Sequence, residues 1–242
     1  LAVSSDDGVT WERRGAILQA PAIGDIPCAE RTFYGDGSFS AVVSPDRQYL
    51  YVYFNQWMPN DYAPTAVARA RIDSGLGPGT WWKYHDGVWN EPGLGGRVTG
   101  VLPVPSTPKD QFEKSVAIPT VSWNTEYDMW LAVYVTITGF WYSSSYDGLN
   151  WASPRQLIDD VVMFAPESMV DHHQYIYYPS LIDVHANEDG RTSKDGLLMY
   201  AKGGWTSAHH MVARNVEITK VASPELANTG NSTSTYVVAL LV

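Results

Sequence analysis

The sequence predicts an all-β chain assembled from repeated small sheets, and three observations carry that prediction. A turn of Asp-Gly type opens the chain, one cluster of short strands returns three times, and no long segment shows convincing helical periodicity.

The opening turn reads Ser4-Ser5-Asp6-Asp7-Gly8-Val9-Thr10-Trp11, which fits S-x-D-x-G-x-T-W at each specified position. Asp6 is suited to accept backbone N–H bonds and Gly8 permits a positive φ. Thr10 and Trp11 then begin the return strand, with the indole folded over the turn. This string matches the Asp-box, a turn known from sialidases and other β-propeller proteins, where it lies away from the active site. A related turn spans Ser144 to Trp151. It keeps the Ser, Gly and Trp, but its acid, Asp147, has moved one place and Asn150 replaces the Thr.

The repeating cluster is an inner strand, a turn, a second aromatic strand and an outer strand. Its first pass covers Gly37 to Val43, the turn Ser44-Pro45-Asp46-Arg47, Tyr49 to Asn55, and Ala66 to Ile72. The second covers Val116 to Ser122, the turn Asn124 to Asp128, Met129 to Thr136, and Phe140 to Ser145. The third covers Tyr177 to Asp183, a polar loop from His185 to Asp195, Gly196 to Ala201, and Met211 to Thr219. Each strand is β-branched or aromatic and is bounded by Gly, Pro, Asn or Asp. Repeated sheets of this kind predict the blades of a β-propeller. Between the passes, Trp82, Tyr84, Val88 and Trp89 straddle an Asp86-Gly87 turn. That aromatic hairpin reads either as the outer edge of a blade or as a loop over a ligand funnel.

Composition narrows the function. The chain has 242 residues, of which 45% are hydrophobic, 13% aromatic and 17% charged. Ten Trp and fifteen Tyr exceed what a core of this size requires. In sheet proteins such rings either line sugar-binding grooves or pack across strands. A formal net charge of −10 argues against nucleic acid as a partner. One cysteine, Cys28, allows neither an internal disulfide nor a Cys-based metal site. No stretch approaches the roughly 18 apolar residues of a membrane span. A monomer without a membrane partner, secreted or periplasmic, is the expectation. The chain opens at Leu1 inside a hairpin, with neither Met nor signal peptide, so it reads as a fragment or mature form.

Together with the opening turn, three segments carry a family resemblance: Glu91-Pro92-Gly93-Leu94-Gly95-Gly96, Pro119-Thr120-Val121-Ser122-Trp123-Asn124, and Tyr177-Tyr178-Pro179-Ser180-Leu181. In these the chain resembles the glycosidase-type β-propellers, the superfamily of five-bladed arabinanase- and xylosidase-like enzymes and the sialidases. The resemblance implies one propeller domain over residues 1–242, five-bladed in the full protein, with an N-terminal blade or part of it missing here. It also implies an axial funnel with carboxylates at the starts of innermost strands. Glycoside hydrolysis needs two carboxyl groups in different environments, one protonated and one ionised.

Asp36, in Tyr34-Gly35-Asp36-Gly37-Ser38, is the best positional match for a first carboxylate acting as base or nucleophile. It also reads as a turn residue capping the Gly35–Gly37 bend. Glu113, beside Lys114, or Glu167 is the candidate acid. Asp171 and His173 are candidate substrate contacts; His172 and His173 point to opposite faces if they lie on a strand, so at most one of them can face a funnel. Trp57, Trp123 and Tyr177 are candidate sugar platforms, and His209-His210 receives no role. A funnel calcium or sodium ion is compatible with the resemblance, although the sequence places none, and no other cofactor is expected.

The expected function is a glycoside hydrolase acting on a neutral glycan. The alternative is a non-catalytic propeller that binds carbohydrate or protein. A sialidase ranks lower, because the arginines sit in no recognisable family motif and the acidic balance disfavours an anionic sugar. No G-x-S-x-G elbow, Walker loop or H-E-x-x-H is present.

Overall fold

The computed structural model describes residues 1–22, 34–57, 63–105, 114–163, 165, 168, 173–183, 190–222 and 236–241, the backbone alone for 222 and 236–241. No α-helix occurs among the described residues. A hairpin of β1 (Ala2–Val3) and β2 (Glu12–Arg13) precedes three larger sheets. The first is the meander β3 (Gly35–Val43), β4 (Tyr49–Trp57), β5 (Thr65–Arg71), β6 (Trp82–His85) and β7 (Val88–Pro92). The second runs β8 (Ala117–Asn124), β9 (Met129–Thr136), β10 (Gly139–Ser145) and β11 (Arg155–Ile158). The third is β12 (Tyr175–Asp183), β14 (Asp195–Gly203), β15 (His210–Ala222) and β16 (Tyr236–Leu241). Between β12 and β14, the short β13 (Arg191–Thr192) leaves its own sheet and pairs parallel with β8. The three predicted strand clusters fall on the first three strands of these three sheets.

Alternation along the central strands shows how the sheets are stacked. All of β9, Met-Trp-Leu-Ala-Val-Tyr-Val-Thr, is buried, which an antiparallel strand shows when both of its faces are covered. Met129, Leu131, Val133 and Val135 enter a core shared with Ile176, Leu181, Leu198, Val216 and Ile218 of the third sheet. Trp130, Ala132 and Tyr134 point the other way, into a core shared with Tyr51, Tyr53 and Val67 of the first sheet. On β4, Val52 and Phe54 face outward from that second core and pack with Ala66, Ala68, Ala70 and Trp81. The second sheet is therefore sandwiched face to face between its neighbours, as consecutive propeller blades would be. Part of the aromatic surplus is consumed here: Tyr51, Tyr53, Trp123 and Trp130 interlock with ring centroids 5.3–6.2 Å apart.

The first strands of the three sheets share one irregularity. Between Gly37 and Ser40, Ala117 and Thr120, and Tyr177 and Ser180, each spends one residue more than its partner strand. Each bulge carries a non-glycine residue at positive φ: Ser38 at 53°, Ile118 at 50° and Tyr178 at 53°. Such conformations are strained for a β-branched or bulky residue, and bulges concentrate where a side chain must be re-aimed.

Polar ties join the inner strands. Val121 N–H donates to Ser40 Oγ at 2.9 Å. The buried Asn55 donates to Val116 O at 2.8 Å and accepts Ile118 N–H at 2.7 Å. Since Asn55 sits opposite Gly37, the lead-in of β8 lies level with the head of β3, and the two strands run in the same sense.

In the opening turn, the Thr10 hydroxyl donates to Asp6 Oδ2 at 2.7 Å and the Thr10 amide to Oδ1 at 2.9 Å. These donors, with Ser4, hold the Asp6 carboxyl down at about 2. Trp11 Nε1–H donates to Gly8 O at 2.9 Å, and Trp151 repeats that bond to Gly148 O at 3.1 Å.

Candidate functional site

Asp36 is the second residue of β3, inside the strand rather than immediately before it, and each of its carboxylate oxygens accepts a hydrogen bond. Oδ2 receives the Lys83 ammonium at 2.9 Å and Oδ1 the Gln56 side-chain amide at 2.8 Å. Gln56 is the cross-strand partner of Asp36 on β4, and Lys83 reaches in from β6. The Lys83 side chain is 0% exposed and that of Asp36 3%. The other Lys83 donors go to Gln19 O at 2.8 Å and Gly96 O at 3.3 Å. Burial pushes the Lys83 ammonium below its usual value, while the neighbouring Asp36 charge pulls it back. This is a buried, hydrogen-bonded ion pair. Among the described residues, a side chain added at Gly35 or Gly37 would meet nothing within 4 Å.

The shared bulge permits a position-by-position comparison of the strand heads. Asp36 immediately precedes the bulge of β3; the residues in that place on the approaches to the other two bulges are Val116 and Ile176, both buried and apolar. Among the described residues, therefore, the equivalent places hold one carboxylate rather than several. The candidate acids Glu113 and Glu167, and the candidate contact Asp171, lie outside the described residues.

The candidate platforms separate into three situations. Trp57 sits opposite Gly35 on the ladder that carries Asp36, half-buried. Trp123 is buried against its cross-strand partner Trp130, with centroids 5.6 Å apart, and presents no face to a ligand. Tyr177 belongs to a cluster of rings at the head of β12. Tyr175 lies 5.4 Å from Tyr177 and 5.3 Å from Trp205, Tyr177 lies 5.0 Å from Tyr178, and His209 stands 5.6 Å from Tyr177.

Local structure explains this cluster. Tyr175 and Tyr177 are two apart on one strand and share a face. The positive-φ bulge turns Tyr178 out, leaving it 54% exposed. The β14–β15 connection carries Trp205, 58% exposed, over Tyr175. His209 Nε2 lies 3.1 Å from Gly204 O, which steadies that connection. Burial, with the Tyr177 phenol beside it, raises the Tyr175 phenol above its usual value. His173, exposed two residues before β12, has its carbonyl beside Gly204, so it borders the cluster through its backbone. Trp205, Tyr178 and His209 were not expected from sequence. Among the described residues no three His, Cys, Asp or Glu side chains gather as a metal centre.

Solved structures similar to this chain include glycoside hydrolases. They include the catalytic domain of a GH62 α-L-arabinofuranosidase from Coprinopsis cinerea, with 10% identity and a TM-score of 0.41 over 86% of this chain and 67% of that one. An α-L-arabinofuranosidase from Podospora anserina in complex with cellotriose has 10% identity and a TM-score of 0.43, over 93% and 67%. An endo-1,4-β-xylanase from Bacteroides thetaiotaomicron has 10% identity and a TM-score of 0.40, over 86% and 60%. Likeness this distant assigns neither reaction nor ligand. No protein-family model matches the chain, and no curated protein matches it in sequence.

Proposed function

We propose that the three sheets are blades of a β-propeller and that the chain binds a neutral glycan on the ring cluster at the head of β12. The observation that carries this reading is the continuity of the cluster. Single exposed rings are ordinary on a protein surface, and Trp11, Trp82 and Tyr146 are of that kind, touching no other ring among the described residues. Trp205 and Tyr178 differ: they are the exposed ends of one connected row through Tyr175 and Tyr177. A row of ring faces suits the C–H faces of sugars. The net charge of −10 favours a neutral glycan over an anionic one.

A second reading, hydrolysis of that glycan, is favoured by Asp36. It stands at the head of an inner strand between two glycines at which, among the described residues, an added side chain would meet nothing within 4 Å. This reading requires a second carboxylate, for which Glu113 and Glu167 are the candidates. It also requires a substrate to reach a carboxylate that is 3% exposed and already paired with Lys83. Binding needs neither condition, and for that reason it is the primary reading.

One experiment separates the two. The purified chain is applied to a panel of neutral polysaccharides and oligosaccharides, with retention and reducing-sugar release both measured, and the Asp36→Asn variant alongside. Retention without release by either protein supports the binding module. Release that disappears in Asp36→Asn, with retention preserved, makes the protein a hydrolase. Neither retention nor release on any neutral glycan removes both readings.

A further inference from the structure

The outer strands of the first sheet carry a second association of rings, built around a cation. Cross-strand pairing sets Tyr51, Arg69 and Trp82 in one row across β4, β5 and β6, with Tyr49 and Arg71 in the next. Directly paired residues share a face, so these five lie on one side of the sheet. Trp89 reaches the same group from β7, its ring 5.7 Å from that of Tyr51 and 5.2 Å from that of Tyr84.

The Arg69 guanidinium lies over two of these rings, 4.5 Å from the Tyr49 centroid and 4.2 Å from that of Trp89. Such stacking holds the plane of the group and leaves its N–H bonds directed outward from its edge. Nη1 donates to Tyr51 Oη at 3.0 Å, and among the described residues Nε and Nη2 have no hydrogen-bond partner. Neither is sealed from solvent, because the one buried, unpartnered side-chain nitrogen or oxygen among those residues is Arg191 Nε. Arg14, Arg71 and Arg97 each pair with a carboxylate. Arg69 pairs with none among the described residues. Asp46, in the β3–β4 turn, is held below the usual carboxylate range first by the Ser44 hydroxyl and the Gln48 amide, and only last by Arg69.

This arrangement selects a ligand. The cation already covers a face of Tyr49 and of Trp89, so a partner meets a planar fork of donors, with the 46% exposed ring of Trp82 in the same row. A guanidinium held flat matches the two oxygens of a carboxylate. A net charge of −10 discourages acids over the rest of the surface. Trp, Tyr and Arg are also the residues that dominate protein–protein hot spots. Finally, β7 is the outer edge of its sheet, with no further strand beside it among the described residues. An extended peptide finds backbone groups to pair with at such an edge, and a polysaccharide does not.

We infer that this rim is a docking site for an extended acidic segment of a partner protein, with one carboxylate held by Arg69 and Trp82 packed beside it. The inference does not depend on the glycan reading, since the rim belongs to the first sheet and the ring cluster to the third.

The test is fluorescence anisotropy of a labelled hexapeptide of alternating Glu and Val, titrated with the full chain. The Gln–Val counterpart is the neutral arm and polygalacturonate the carbohydrate arm. The Glu–Val peptide is expected to bind and the Gln–Val peptide to bind at least about tenfold more weakly. Arg69→Gln should weaken the Glu–Val peptide about tenfold. Arg69→Lys, which keeps the charge and loses the fork, should weaken it several-fold. Trp82→Ala should also weaken it several-fold, and Trp205→Ala should leave it within about twofold of wild type. Thermal unfolding checks each variant; if Arg69→Gln does not fold, Trp82→Ala carries the test, because its ring is exposed. Any of four results overturns the inference. These are no binding of the Glu–Val peptide, equal binding of the neutral one, unchanged affinity in Arg69→Gln and Trp82→Ala, or tighter binding of polygalacturonate that Arg69→Gln abolishes. Sedimentation that shows self-association lost in Arg69→Gln, without peptide binding, would give the rim to a second copy and also overturn it.

Discussion

Replacing Lys83 with methionine removes the cation from the head of β3 while keeping most of its aliphatic stem beside Phe54, whose ring centroid lies 5.3 Å from Nζ. Among the described residues the ammonium donates to Asp36, Gln19 O and Gly96 O, and both members of the ion pair are buried. The variant leaves the Asp36 carboxylate out of water with the Gln56 amide as its remaining partner. Breaking a buried pair in this way costs about 3–5 kcal/mol, a large part of the about 5–15 kcal/mol that separates a folded domain from its unfolded chain. The double variant Lys83→Met, Asp36→Asn should recover at least half of the loss, since no buried charge remains. The assay is urea unfolding at neutral pH, followed by tryptophan fluorescence and extrapolated linearly to water. A single variant within about 1 kcal/mol of wild type would refute the argument. So would a double variant as unstable as the single one.

Two further predictions rest on the turns. The Asp6 carboxyl stands at about 2 in the folded turn against a reference of 3.8. Its contribution is therefore complete above a pH of about 4 and is lost as pH falls through about 2. The Thr10 amide resonance should titrate with a midpoint near 2, and a midpoint near the reference value would contradict the turn's hydrogen bonding. At Gly148, φ is 75° and an added Cβ would stand 2.5 Å from Tyr53 Oη and 3.2 Å from Trp130. Gly148→Ala should lose about 2–4 kcal/mol in the same urea assay; a loss under about 1 kcal/mol would show that the Tyr53–Trp130 contact is softer than its geometry implies.

Strands were legible where burial is two-sided or turn chemistry is explicit. β9 reads as an unbroken apolar run because both its faces are covered, and the Asn124–Asp128 turn fixes its start. The same hairpin register places Trp123 opposite Trp130, a pairing that explains why Trp123 packs rather than faces a ligand. Asp36 was legible by its place between glycines, but its partner was not. Lys83 lies in a hairpin strand where a charged residue ordinarily faces water, and only the packing of Gln19 and Gly96 around it turns it inward. β13 had no signal, since a two-residue parallel pairing inside a polar loop has no periodicity. Tyr178 owes its exposure to a bulge that no glycine marks, and Trp205 sits in a turn whose sequence, Gly-Gly-Trp-Thr-Ser, reads as an ordinary connection.

The account's central claim is that the row of rings at the head of β12 is a glycan surface. The most direct measurement is a binding isotherm on the neutral polysaccharide best retained in the panel, for wild type and Trp205→Ala. Trp205 is 58% exposed, so its removal should change stability by less than about 1 kcal/mol. Loss of one stacking face, worth about 1–2 kcal/mol, predicts affinity weakened by about five- to thirtyfold. Equal isotherms for the two proteins, with folding intact in both, would contradict the claim.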